Sequence, residues 1–198
     1  MARKSWFSAL TREIENELEE GRGGLTFETE QLPAELPQLG LLIIKKKKNV
    51  VIEKNIGKIF RNVNIVVYKS PEECVTIEDY HLAHFYSRMY AATHHVDTAE
   101  MSVSVVAFQY PHKLMDFLKN QYVVKSVQQG IYFVEGDTSP TQVIVTEELP
   151  EKDNFWLANL RNDLSEEQLK RVITAAEGKP SLDAYIRAIT ETNAEAME

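Results

Sequence analysis

Apolar and polar positions alternate along this chain with two periods, and the switches between them predict the elements. Leu10, Ile14 and Leu18 recur at helical spacing within residues 8–20, and Gly21-Arg22-Gly23-Gly24 stops that helix. From Leu25 to Glu30 the period changes to two. Leu25, Phe27 and Thr29 face one way and Thr26, Glu28 and Glu30 the other, a short strand. Pro33 and Pro37 mark an irregular connection. Leu39 to Lys46 is an almost unbroken apolar run, which predicts a strand buried on both faces. Ile52, Ile56, Ile59 and Phe60 line one side of a short helix that Gly57 weakens. A second apolar strand covers 63–69, and Ser70-Pro71 ends it.

Beyond Pro71 the helical period returns. Thr76 is the N-cap of a helix running to about Thr93, with Asp79 three residues on in a capping-box position. Its predicted inward residues are Leu82, Phe85, Tyr86, Met89 and Tyr90. Met101 to Tyr110 is a β-branched strand, and Pro111 opens a helix to about Asn120 with Leu114, Phe117 and Leu118 inward. Two shorter strands follow near Tyr132–Val134 and Gln142–Val145. Residues 151–177 are mostly helical, with a capping box at Ser165-Glu166-Glu167-Gln168. Gly178-Lys179-Pro180 breaks the chain before a terminal helix over 181–197. The strand–helix–strand passage at 63–110 is long enough for a crossover, so the pattern predicts a mixed α/β sheet with helices on it.

Composition narrows this picture little. The 198 residues suggest one domain with a small appendage, and a net charge of −8 argues against a wholly basic nucleic-acid-binding surface. Cys74 is the single cysteine, so no intrachain disulfide forms, which fits a reducing, cytoplasmic location. Glu72 and Glu73 before it disfavour its thiolate. No window approaches a membrane-spanning length of apolar residues.

The candidate chemistry centres on Asn64-Ile65-Val66-Val67-Tyr68-Lys69-Ser70-Pro71, a buried strand closed by a lysine. An ammonium at that place sits either at the sheet's rim or in a site. These residues resemble the third core strand of the PD-(D/E)XK nuclease superfamily, in particular its bacterial transposase-associated, recombination-promoting members. Leu39-Gly40-Leu41-Leu42-Ile43-Ile44-Lys45 is similar to the preceding strand of the same family. The likeness spans roughly residues 10–165. It implies a restriction-endonuclease-like fold with an α-β-β-β-α-β core over residues 1–160 and a helical C-terminal extension over 161–198. It also implies Mg²⁺-dependent DNA cleavage, with an Asp on one strand and Glu-x-Lys on the next. Lys69 stands where the family has its lysine, but Gly40 and Val67 stand where it has the two metal-binding carboxylates. A glycine and a valine offer no oxygen ligand to Mg²⁺.

The resemblance therefore implies a degenerate member that keeps the fold and binds nucleic acid or protein without a cofactor. Two alternatives stand beside it. One is an active nuclease that holds Mg²⁺ through migrated carboxylates, with Glu17 or Glu30 the acid beside Lys69 and Glu13, Glu28 and Glu53 further candidates. The other is a non-catalytic protein-interaction module. Candidate partners are DNA and a second copy of the chain, not a membrane. Lys45, Lys46, Lys47, Lys48, Lys58 and Arg61, with Lys54, form the one basic cluster suited to phosphates. His81, His84, His94 and His95 lack the accompanying ligands of a zinc motif and are expected on a helix surface and its C-terminus. Trp6 and Phe7 are expected in a staple or core contact. No P-loop or nucleophile-elbow pattern occurs.

Overall fold

The computed structural model describes residues 2–18, 23–29 and 39–194, with side chains from Trp6 onward. Helix α1 (Ala2–Glu17) is followed by strands β1 (Leu25–Thr29), β2 (Gly40–Lys46) and β3 (Val63–Tyr68). Helix α2 (Ile77–His94) leads to β4 (Met101–Ala107) and α3 (His112–Gln121). Strands β5 (Val123–Gln128), β6 (Ile131–Glu135) and β7 (Thr141–Val145) precede α4 (Phe155–Ala158), α5 (Glu166–Ala176) and α6 (Asp183–Thr192). The order α-β-β-β-α-β expected of the first six elements is present.

The seven strands of the described residues join one mixed sheet in the order β1-β2-β3-β4-β7-β6-β5. Its centre, β3-β4-β7, is parallel, and antiparallel pairs flank it on both sides. Only an excursion such as α2 can join β3 to a parallel β4. Every residue of β3, β4 and β7 is buried, as apolar strands covered on both faces require.

Strand alternation divides the interior into two cores. Leu42, Ile44, Val66 and Tyr68 face α1 and the C-terminal helices. Leu41, Ile43, Ile65 and Val67 face α2 and α3. On the first face α6 packs along α1, and Leu169, Val172, Tyr185 and Ile189 share a core with Trp6, Leu10 and Ile14. Each such fully buried side chain contributes roughly 1.5–3 kcal/mol. The C-terminal helices thus seal the same layer as α1.

Both capping boxes form as read. Thr76 and Asp79 bond reciprocally at the start of α2, and Ser165 and Gln168 at the start of α5. Other expectations change. Phe85 is 51% exposed and Met89 37%, so α2 does not turn them inward. Its buried stripe is Tyr80, Ala83, His84, Ser87 and Ala91, with Tyr86 and Tyr90 beside it, because small side chains let the helix lie close on the sheet. Residues 52–60 hold one three-residue 3-10 turn, Asn55–Gly57, rather than a helix. Strand β4 stops at Ala107, and of 151–177 only α4 and α5 are α-helical. Strand β5 was not expected. Glu30 and Gly21-Arg22 lie outside the described residues.

Candidate functional site at the strand ends

Lys69 follows the last residue of β3 and meets the start of α2. Its Nζ lies 2.7 Å from Asp79 Oδ2, and the two side chains are 18% and 6% exposed. The same carboxylate oxygen accepts from the Thr76 backbone N–H at 2.8 Å and from Thr76 Oγ1 at 3.0 Å. Lys69 also donates to the Cys74 carbonyl at 3.4 Å. One acid therefore caps α2 and neutralises the strand-end ammonium together. An ammonium held in this way is a structural tie between β3 and α2.

The register decides what surrounds it. Val67 lies opposite Leu41 on β2, and both side chains belong to the α2-facing core. Gly40 lies opposite Tyr68, and a Cβ on Gly40 would come 2.3 Å from Phe7 Cδ2 of α1. Gly40 and Val67 thus face opposite sides of the sheet, so the structure does not bring together the two positions that the resemblance pairs. The residue across from Val67 on its own face is Leu41.

Beside Lys69 the loops after β3 and β4 and the first turns of α2 and α3 enclose a cleft of about 600 Å³. The ends of parallel strands are where open α/β sheets place their ligands. Val75, Ile77, Ala107, Phe108 and Pro111 give it apolar surface, while Glu72, Glu73 and Glu78 stand against Lys113 and His112. Cys74 is exposed on its wall. Among the described residues no group of three His, Cys, Asp or Glu side chains is placed to hold a metal ion.

The basic cluster lies elsewhere. β2 runs antiparallel to β3, so Lys45–Lys48 emerge where β3 begins, and Lys58 and Arg61 precede β3. The length of β3, about 20 Å, separates that end from Lys69. Several of these cations are already engaged. Lys45 pairs with Glu28 at 2.7 Å, which raises its pKa, and Lys46 donates to the Val50 carbonyl at 2.8 Å. Lys47 donates to the Gly23 carbonyl at 3.1 Å. Lys48 is exposed. Lys58 and Arg61 line a smaller cleft of about 400 Å³ with Glu135 and Asp137.

Glu17 is on the opposite face from Lys69. It is buried, pairs with Lys54 at 2.5 Å, and accepts from the Trp156 and Leu157 N–H groups at 2.9 and 3.4 Å. It fastens α1 to α4. Trp6 is in the core and Phe7 packs beside it, as expected. His94 stacks on Tyr90, and His95 caps α2 in a left-handed conformation at φ 55°. His81 is exposed against the edge of Phe117.

His84 departs from its surface expectation. It is buried, with Nε2 3.3 Å from Asp137 Oδ2 and 3.4 Å from Thr141 Oγ1, and burial lowers its pKa. Tyr80 donates to the same Asp137 carboxylate, so α2 is tied to the β6–β7 turn. Asp137 and Thr141 approach the same ring nitrogen, which is a tether and not a proton relay. The spacing of Tyr80 and His84, four apart, was the available signal. Glu13, a candidate for a migrated carboxylate, is fully buried on the α1 side of the sheet, opposite Lys69. Comparisons of the chain with protein-family models, with curated proteins and with solved structures find no match.

Proposed function

We propose that this chain is a non-cleaving relative of the PD-(D/E)XK nucleases that works as a binding module. The observation that carries this reading is the apolar pair Leu41 and Val67, which occupies the face of the β2–β3 ladder nearest Lys69. Metal-assisted phosphodiester hydrolysis needs oxygen ligands there to hold the ion and activate water. Methyl groups supply neither, and the Lys69 ammonium is spent on Asp79. The element order α1-β1-β2-β3-α2-β4 supports the family likeness.

The cleft between α2 and α3 favours a protein or peptide segment over nucleic acid as the partner. Its apolar surface carries three glutamates against one lysine and one histidine, a poor surface for phosphates. The basic cluster stands at the other end of β3, partly neutralised. The test is plasmid DNA incubated with the protein and Mg²⁺ or Mn²⁺, followed by DNA binding at low salt. The expected result is intact plasmid and weak, sequence-independent retention that salt removes. Cleavage that Lys69→Ala abolishes would overturn the reading and return the chain to the active nucleases.

A further inference from the structure

Glu13 is the one carboxylate among the described residues that is fully buried with both oxygens lacking a hydrogen-bond partner. It sits in the C-terminal half of α1, one turn before Glu17, on the side that packs against the sheet and α6. Its surroundings hold little that would stabilise a charge. From β3 the Tyr68 hydroxyl faces it, itself buried and unpartnered. From α6 the Tyr185 hydroxyl is within reach of its field but donates to the Trp156 carbonyl at 3.2 Å. From α1 itself the neighbour is Glu17, a like charge. The cation beside Glu17, Lys54, is committed to that residue, and Arg12 on the same helix pairs with Glu15. Glu151 adds a further negative charge acting on Tyr185. Strand β2 contributes apolar Leu42 and Ile44 to this core, and α4 and the turn at Pro180–Leu182 carry no titratable side chain.

An ionised carboxylate in that environment is strongly disfavoured, whereas a neutral carboxyl is tolerated. We propose that Glu13 is a proton-operated latch on the α1 layer: the protonated carboxyl keeps α1 seated between the sheet and α6, and loss of that proton loosens the helix. Burial, and secondarily Glu17, raise the Glu13 pKa well above its ordinary carboxylate value. A folded-state value above the unfolded one favours folding at low pH. That contribution is complete below the unfolded value and is lost as pH rises through the folded one. Within that window each pH unit lowers the ratio of seated to loosened protein by up to about tenfold.

The molecule carries its own reporters. Both tryptophans belong to this layer: Trp6 is buried on α1, and the Trp156 ring packs edge-on against Tyr185 while its backbone N–H donates to Glu17. The experiment follows tryptophan emission and amide hydrogen exchange of α1 in the full chain from about pH 5 to about pH 9. In the parent the emission is expected to move to longer wavelength and the α1 amides to lose protection as pH rises, while α2 and α3 keep theirs. Glu13→Gln keeps the shape and cannot ionise, so it should stay flat across the range. Glu13→Leu should do the same and serves if the glutamine variant folds poorly. A parent whose emission and α1 protection do not change with pH, or two variants that follow the parent's curve, would overturn the latch.

Discussion

Two acids, Asp79 and Glu13, mark opposite layers of this molecule and are buried to nearly the same degree, at 4% and 0% exposure. Asp79 starts a helix, where backbone N–H groups point outward, and it meets Lys69 and Thr76. Glu13 lies in mid-helix, where the backbone donors are consumed, and both of its oxygens are unpartnered. Burial alone therefore does not decide whether an acid steadies a fold. What matters is whether the elements that bury it also deliver donors. The α2 face joins its elements through satisfied polar ties, Lys69–Asp79 and the Tyr80–Asp137–His84 group. The α1 face has such a tie too, from Glu17 to Lys54 and the start of α4, but otherwise relies on apolar contact and holds an unsatisfied acid, Glu13, within it.

The largest test of this contrast is Asp79→Ala. It removes a cap and strands a mostly buried ammonium, and urea unfolding is expected to show a loss of about 3 kcal/mol. Lys69→Met in the same background should recover part of that loss, giving a measurable coupling between the two sites. Next is Gly40→Ala, on the α1 face. A Cβ at 2.3 Å from the Phe7 ring displaces that ring from its packing between α1 and β2, at a cost of about 2 kcal/mol in the same assay. The smallest effect belongs to Tyr68→Phe, which deletes a buried hydroxyl with no partner. It is expected to raise stability by about 1 kcal/mol, read as a higher midpoint in thermal unfolding.

Much of the fold was legible because its signals are local. The double-faced apolar runs of β2 and β3, and both capping boxes, depend on residues a few positions apart. Strand β5 was hidden for the opposite reason. Val123, Lys125, Val127 and Gln128 are exposed, so no buried face imposes a pattern on it. The helix face of α2 was misjudged because Phe85 and Met89 are apolar in type, whereas the contact is made by Ala83, Ser87 and Ala91, which allow closer approach to the sheet. Lys69 was singled out correctly as an unusual strand end, but its partner Asp79 had been assigned only to capping. That Gly40 and Val67 face opposite layers depends on how β2 and β3 align. That register is a long-range property which neither strand's own pattern contains. Glu13 was legible only as one candidate acid on the first helix; its burial depends on the sheet and on α6, more than a hundred residues further along.

The packing of α1 against α6 has a consequence for biosynthesis. The ribosome delivers α1 long before α6, and domains complete their folding only when their partners have emerged. Until α6 emerges, the apolar side of α1, including Trp6, Leu10 and Ile14, lacks the helix that covers it. The nascent chain therefore carries a sticky amphipathic segment for the time needed to make all seven of these strands, and chaperone engagement should concentrate there until α6 closes the layer.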